Sequence, residues 1–221
     1  MPLPFDSRTV FFTLEVLGTF AFALSGLFAA RAHRLDAVGT FIAAFLAAFG
    51  GGTLRDVLLY QRPFYWVANT SLLWGVLVMA LLASLLLRIS SRWLSGGVFL
   101  VVDAIGLGVF SATGTQIAQQ QGWPMLPCVL MGVITATFGG LLRDMVCNEK
   151  PILITDPSPY ASIAFVGNWL LLALLHLQWL DAFWATASTA ALITLARVVL
   201  AWWGVKLPQL DDGGGEAEKT S

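Results

Sequence analysis

The chain alternates between long apolar runs and short polar segments. Because a helix needs about 20 apolar residues to cross the hydrocarbon core of a bilayer, runs of that length predict transmembrane helices. Seven such runs cover residues 11–30, 37–54, 66–87, 98–118, 126–142, 161–180 and 183–205. We therefore predict an all-α membrane protein with seven transmembrane helices, which we call spans one to seven. Spans two and five are the shortest of the seven runs.

One phrase within this pattern occurs twice. Gly-Gly-Thr-Leu-Arg-Asp at residues 51–56 returns as Gly-Gly-Leu-Leu-Arg-Asp at residues 139–144, an offset of 88 residues. Each copy stands at the end of a strongly apolar run, span two or span five. Charged residues in that position are costly unless they face a polar pathway or a partner. Their duplication indicates a functional centre between two related halves.

The same offset relates residues outside the phrase. It aligns Glu15 with Asp103, Gly18 with Gly106, Phe22 with Phe110, Ser25 with Thr113, Gly26 with Gly114 and Ala48 with Ala136. The aligned positions lie in spans one, two, four and five, and spans three and six complete the two halves. Since three spans is an odd number, the second half must be inverted relative to the first. We predict a first repeat at 1–94, an inverted second repeat at 95–180, a seventh helix at 181–207 and a disordered polar tail at 208–221.

Composition agrees with a membrane location and excludes several functions. Hydrophobic residues make up 57% of the chain and charged residues 11%, whereas soluble domains carry about 25% charged residues. The net charge of −1 offers no basic face for nucleic acid. Cys128 and Cys147 lack the spacing of metal ligands and are expected to be buried apolar residues. We expect no metal or other cofactor.

The basic residues of the loops predict the orientation of the chain. With the N-terminus outside, the cytoplasmic segments hold seven basic residues and the outer segments hold two. The seven are Arg31, Arg34, Arg88, Arg92, Lys150, Lys206 and Lys219, and the two are Arg8 and Arg62. We therefore predict a multi-pass protein of the cell (inner) membrane with its N-terminus outside and its C-terminus in the cytoplasm.

Five glycines belong to the doubled phrase or adjoin it: Gly50, Gly51, Gly52, Gly139 and Gly140. Each costs roughly 1 kcal/mol of helix stability relative to alanine. Two interpretations are open. The glycines kink spans two and five, so that freed carbonyl groups face water or a cation, or they let helices pack closely through small residues. We favour the kink, because both glycine groups coincide with a charged pair.

The Arg-Asp pairs of the phrase are the other candidates for a gate. Arg55 and Asp56 are adjacent, so their side chains leave a helix about 100° apart, and we expect them not to pair with each other. The predicted two-fold axis indicates pairs across the repeats instead: Arg55 with Asp144, and Arg143 with Asp56. The alternative is that these residues only anchor helix ends at an interface.

Two further acids lie about one turn inside spans one and four. Small and polar residues share their helix faces: Gly18 and Ser25 follow Glu15, and Gly106 and Thr113 follow Asp103. Each carboxyl group either reaches to the membrane interface or lines a polar path. Glu15, Asp103 and the two aspartates of the doubled phrase make four acids, and the phrase contributes two arginines. If all of them are ionised, their net charge is −2, and a path lined by these groups favours cations over anions. Arg197 in span seven has no repeat partner, and we expect it to extend toward the interface rather than to pair with a surplus acid.

These residues resemble the prokaryotic TRIC family, homologues of the trimeric intracellular cation channels that are also known as the UPF0126 or glycine transporter domain family. The resemblance rests on two Gly-Gly-x-x-Arg-Asp phrases, each followed by a basic residue and proline at 62–63 and 150–151, and on Lys-Leu-Pro at 206–208. It covers roughly residues 10–210. It implies a homotrimer in the lipid bilayer with a pore in each protomer, between spans two and five, and K⁺ and less selectively Na⁺ as permeant ions. Animal members carry a lysine-containing motif where this chain has Arg55 and Asp56, so their lipid and voltage control is not implied.

Other function classes stay open on the residues alone. A secondary transporter of glycine or another small zwitterion would also use inverted repeats, and half-helix ends suit a carboxylate and an amine. An intramembrane enzyme is disfavoured, since the sequence shows no nucleophile and base pair, metal-ligand cluster or cofactor loop. A purely structural subunit is disfavoured by the cost of the intramembrane charges. Span seven is the candidate for trimer contacts.

Overall fold

The computed structural model describes residues 7–86 and 96–208, with the side chains of 12–83 and 96–208. The described residues form nine α-helices. These are α1 (Ser7–Ala32), α2 (Ala37–Leu58), α3 (Tyr65–Ala68), α4 (Thr70–Leu86), α5 (Gly96–Gln120), α6 (Met125–Val146), α7 (Ile152–Thr155), α8 (Ala161–His176) and α9 (Ala182–Trp202). The predicted tail from 209 onward and three predicted cytoplasmic residues, Arg88, Arg92 and Lys219, lie outside the described residues, as does the side chain of Arg8.

Five of these helices are long and apolar enough to cross a membrane: α1, α2, α5, α6 and α9. Spans three and six correspond to the shorter apolar helices α4 and α8, of 17 and 16 residues. Spans two and five are the shortest apolar runs, but the expectation that their helices are also the shortest is wrong, because α2 and α6 have 22 residues each. Span three was also predicted as one run, but the short helix α3 precedes α4, and Asn69 separates them.

The helices that carry the doubled phrase run without interruption through their glycines. α2 continues from Ala37 to Leu58 and α6 from Met125 to Val146. The start of α2 is capped by Asp36, whose Oδ1 accepts a hydrogen bond from the Gly39 amide at 2.7 Å. A kink at the glycines stays a prediction, because both helices are continuous at that point.

Helices α1 and α5 cross through small residues that the 88-residue offset relates. A Cβ at Gly106 would lie 2.3 Å from the ring of Phe22, and a Cβ at Gly18 would lie 3.4 Å from the ring of Phe110. The two rings stack with their centroids 5.5 Å apart. The offset exchanges one contact for the other, as a two-fold relation between the two helices requires. In these contacts the later residue of one helix meets the earlier residue of the other, so α1 and α5 run antiparallel.

Helices α2 and α6 cross in the same reciprocal way, at the doubled phrase itself. A Cβ at Gly51 would lie 1.9 Å from the carbonyl oxygen of Thr135, and a Cβ at Gly139 would lie 2.3 Å from that of Ala47. The offset again exchanges the two contacts. The backbones of α2 and α6 therefore touch, and only glycine fits at either point.

The last helix packs against the second half of the chain. A Cβ at Gly108 of α5 would lie 2.4 Å from the carbonyl oxygen of Ala190 in α9, and the hydroxyl of Thr194 donates to the carbonyl of Ala104 at 3.2 Å. The Thr186 hydroxyl donates to the side chain of Gln116. Such close contacts and interhelical hydrogen bonds are the usual means of helix association in membranes, and they place α9 firmly beside α5.

Candidate functional site

Arg143 is the centre of the first of two buried ionic clusters. Its Nε and Nη2 atoms each lie 2.8 Å from Oδ1 of Asp144, and its Nη1 atom lies 2.5 Å from Oδ1 of Asp103. The same Nη1 donates to the hydroxyl of Ser25 at 2.5 Å. We call Ser25, Asp103, Arg143, Asp144 and Tyr160 the Arg143 cluster. Burying such charges is tolerable only when they are paired and hydrogen-bonded, and this guanidinium meets both conditions.

The outer carboxylate oxygens of the Arg143 cluster also have donors. Oδ2 of Asp144 accepts from the amide of Ile152, the first residue of α7, at 2.9 Å. Oδ2 of Asp103 accepts from the hydroxyl of Tyr160, just before α8, at 2.9 Å. The segment between α6 and α8 therefore closes the cluster from the side opposite Arg143.

The second cluster has the same plan around Arg55. Its Nε and Nη2 atoms donate to Oδ1 of Asp56 at 2.9 and 2.8 Å, and its Nη1 donates to Oε1 of Glu15 at 2.8 Å. Oδ2 of Asp56 accepts from the amide of Tyr65, the first residue of α3, at 2.8 Å. We call Glu15, Arg55 and Asp56 the Arg55 cluster. Thr113, the repeat partner of Ser25, donates to the carbonyl of Val109 in its own helix at 2.9 Å.

The predicted ion pairs across the repeats are wrong. Each arginine pairs with the aspartate next to it and with an acid 40 residues earlier, so both pairs stay within one repeat. The angle of about 100° between adjacent side chains is overcome because a guanidinium at the end of a long side chain reaches sideways to its neighbour. Glu15 and Asp103 do not extend to the interface either, since both are buried in these pairs.

The glycines of the phrase divide into two roles. Gly51 and Gly139 are the contact points of the two backbones, and Gly50 lies against Leu142, whose Cδ1 would be 2.8 Å from an added Cβ. This supports close packing as the role of these three positions. At Gly52 the nearest atom to an added Cβ is Nη2 of Arg55 at 3.9 Å, and at Gly140 the nearest atoms, at 3.6 Å, belong to Arg143 and Tyr160. Those two positions leave room beside the guanidinium groups.

Arg197 forms a third buried group, and the prediction that it extends to the interface is wrong. Its Nη2 lies 2.6 Å from Oδ2 of Asp156, and its Nη1 donates to the hydroxyl of Ser158 and the carbonyl of Pro159. Burial alone would raise the pKa of Asp156, but the hydrogen bonds from Ser158 and Arg197 outweigh it and hold that pKa below its ordinary value. The partner of Arg197 is thus a loop acid and none of the four acids of the two repeats.

A cavity of about 330 Å³ opens at the ends of α1, α5 and α6. Asp144 of the Arg143 cluster lines it, together with Phe28, Phe99, His33, Glu149 and Lys150. Both ring nitrogens of His33 have a partner: Nδ1 lies 2.9 Å from the carbonyl oxygen of Ala29, and Nε2 lies 2.7 Å from Oε1 of Glu149. Because both partners are acceptors, the charged imidazolium fits best, and the bond to Glu149 followed by that to Ala29 raises the pKa of His33.

We expect His33→Gln to lower the melting temperature in detergent by about 1 °C at pH 6 and by nothing measurable at pH 9. The contribution of the charged pair is complete below the ordinary histidine pKa of 6.5 and is lost as the pH rises through the higher pKa of the folded protein. The effect is small because Glu149 keeps 58% of its side chain exposed. Thermal unfolding of both proteins at both pH values tests this, and a difference that persists at pH 9 would contradict it.

Sequence reasoning missed Tyr160, Asp156 and the pair of His33 with Glu149. The offset aligns Tyr160 with Leu72, so the repeat contains no signal for it. The one sequence feature that could have indicated a role for Asp156 was its position as an acid in the proline-rich loop at 156–159. For His33 and Glu149 there was none, since 116 residues separate them.

Comparison with known proteins gives a family. A family model described as glycine transporter matches residues 12–88 and again 100–176, and the second match begins 88 residues after the first, which is the offset of the repeat. The Escherichia coli UPF0126 inner membrane protein YadS is 32% identical over 208 residues, which are 91% of this chain and 97% of that protein. A solved structure of the TRIC trimeric intracellular cation channel orthologue from Rhodobacter sphaeroides is similar with a TM-score of 0.81 and 30% identity, over 89% of this chain and all of that one. This chain belongs to the TRIC/UPF0126 family.

Other members of the TRIC/UPF0126 family agree with this. A UPF0126 membrane protein of Vibrio cholerae is 34% identical over 168 residues, 74% of this chain and 70% of that protein. The resemblance stated from the doubled phrase is thus confirmed, as is the prediction of an all-helical membrane protein. The relatives are membrane proteins and TRIC channels, in agreement with the prediction that the protein is not an enzyme.

Proposed function

We propose that this protein is a monovalent cation channel that conducts K⁺ and, less selectively, Na⁺. The observation that carries the proposal is the pair of buried clusters, in which two carboxyl groups accompany each guanidinium group. A pathway lined by a surplus of carboxyl groups favours cations over anions. The similarity to a TRIC channel along that channel's full length supports the same function.

The conduction path lies within one protomer, next to the crossing of α2 and α6. It does not pass between the two backbones at Gly51 and Gly139, since these are in contact. It runs instead on the side of Gly52 and Gly140, where an added Cβ would meet only guanidinium groups and the Tyr160 hydroxyl. The cavity of about 330 Å³ that ends at Asp144 forms one mouth of this path. Ions then pass the Arg143 cluster and the Arg55 cluster in turn.

The protein lies in the cell membrane as a homotrimer, with its N-terminus outside and its C-terminus in the cytoplasm. In this orientation the Arg143 cluster and its cavity face the cytoplasm, together with Lys150. The two inverted repeats, 1–94 and 95–180, then each supply one arginine with its two acids, and Ser25 of the first repeat completes the Arg143 cluster. The helix α9 presents exposed Trp184, Leu192 and Leu195 on its outer surface, and this apolar surface contacts a neighbouring protomer.

A secondary transporter of glycine or another small zwitterion is the second candidate. It is favoured by the description of the matching family model and by the chemistry of the clusters. A guanidinium group could take the carboxylate of the substrate, and a carboxyl group could take its amine. Alternating access would require the crossing of α2 and α6 to rearrange in each cycle.

Flux into proteoliposomes of the purified protein tests the proposal. We expect K⁺ and Na⁺ to enter at rates that rise in proportion to concentration, K⁺ faster than Na⁺, and both at least tenfold above protein-free liposomes. Cl⁻ and glycine should stay at the protein-free rate. Gly52→Leu, which fills the space beside Arg55, should lower K⁺ flux, whereas Gly52→Ala should conduct almost normally. Saturable glycine uptake without cation flux would establish the transporter instead.

A further inference from the structure

The helix α9, which lies outside the repeats, is connected to the Arg143 cluster by a chain of side-chain contacts. Arg197 belongs to α9, which lies outside both repeats, so neither half of the chain offers an equivalent position for it. Its side chain is 3% exposed and is bound to Asp156, Ser158 and Pro159. A buried arginine with three partners in one short segment holds that segment in a single position.

The segment at 156–160 is held by α9 and by the residues that follow it. Asp156 accepts hydrogen bonds at its Oδ1 from the amide and the hydroxyl of Ser158, at 2.9 and 2.6 Å, while its Oδ2 binds Arg197. The carbonyl of Pro157 accepts from the amide of Leu207 at 2.8 Å, beyond the end of α9. Movement of α9 must therefore move this segment.

Tyr160 joins the segment to the Arg143 cluster. Its side chain is buried, and Cζ of Arg197 lies 4.9 Å from the centre of its ring. At the other end its hydroxyl donates to Oδ2 of Asp103 at 2.9 Å, while Oδ1 of the same carboxylate binds Arg143. One ring thus bridges the guanidinium group of α9 and the carboxylate of α5.

We propose that Tyr160 is a positioning residue through which Arg197 of α9 sets the position of Asp103 in the Arg143 cluster, and thereby the ion preference of the conduction path. The inference rests on the proposed cation channel. A carboxylate oxygen that keeps its hydrogen-bond donor presents a weaker field to a passing ion. Without the Tyr160 hydroxyl, the field at Oδ2 becomes stronger, and a stronger field favours the smaller Na⁺.

The test compares Tyr160→Phe, Arg197→Met and the double variant with wild type, by K⁺ and Na⁺ flux into proteoliposomes. We expect each single change to lower the ratio of K⁺ to Na⁺ flux at least twofold. The double variant should show no more than the larger single effect, because both act through one contact. Arg197→Lys should restore part of the ratio. The control is Tyr60→Phe, at a tyrosine that is 89% exposed, and its ratio should match wild type.

The flux ratio separates positioning from a merely structural role. A variant that only folds less well gives less K⁺ and less Na⁺ flux in equal proportion, so its ratio does not change. An unchanged ratio in Tyr160→Phe, or additive effects in the double variant, would overturn the inference even when wild type conducts normally. If wild type conducts no cation, the proposed function fails. Should Arg197→Met not fold, Tyr160→Phe and Arg197→Lys still decide the question.

Discussion

Replacing Arg143 with methionine is expected to destabilise the protein by about 3–5 kcal/mol, the usual effect of removing one partner from a buried ion pair. Asp103 and Asp144 would keep their other donors, Tyr160 and the Ile152 amide, but lose the only guanidinium group bound to them in the described residues. An uncompensated carboxylate in this position is costly. The melting temperature in detergent should fall by about 10 °C, and K⁺ flux should be lost.

Two variants control for this effect. Combining Arg143→Met with Asp103→Asn and Asp144→Asn removes all three charges, so most of the stability should return while K⁺ flux stays absent. Arg143→Lys should fall between, because a single ammonium group lacks the fork that reaches both acids. A melting temperature for Arg143→Met equal to wild type would contradict the paired, buried cluster. Full flux in the neutral triple variant would contradict its role in conduction.

Alanine at Gly51 is expected to cost about 2–3 kcal/mol, in the upper half of the range that overpacking usually costs. Its Cβ would lie 1.9 Å from the carbonyl oxygen of Thr135, so α2 and α6 would have to separate. Gly52→Ala is the matched control, since its Cβ would meet nothing closer than Nη2 of Arg55 at 3.9 Å. Alanine there should be neutral or stabilising by up to about 1 kcal/mol. Thermal unfolding of the two variants side by side tests the difference.

The second copy of the phrase should respond in the same way. Gly139→Ala places a Cβ 2.3 Å from the carbonyl oxygen of Ala47, whereas Gly140→Ala places it 3.6 Å from the nearest side chains. We expect a smaller fraction of folded, assembled protein for the first and an unchanged fraction for the second, measured by size-exclusion chromatography in detergent. If Gly51→Ala and Gly139→Ala assemble normally but do not conduct, these glycines act as kinks rather than as contact points.

The outcome at the arginines shows where sequence reasoning stops. Adjacent positions on a helix suggested that Arg55 and Asp56 cannot pair, and the two-fold relation suggested Asp144 as a better partner. Both arguments consider only the direction in which a side chain leaves its helix. The guanidinium group lies at the end of a long, flexible side chain, which can bring it to a partner in another direction. The same applies to Arg197. Its position in α9 alone would allow it to extend to the membrane interface, but the loop at 156–159 packs against it and binds its guanidinium group.

The sequence by itself determined the class of protein, the repeat and the residues of both clusters other than Tyr160. Apolar runs predict transmembrane helices because the insertion of a segment into lipid depends on the composition of that segment. The duplication is recognised because matching residues recur at a constant spacing. The tertiary structure decided which acid each arginine binds, that Gly51 and Gly139 join two backbones, and that Tyr160 connects α9 to Asp103. These contacts join positions far apart in the chain, and they depend on side-chain reach and helix crossing, which no local pattern of residues records.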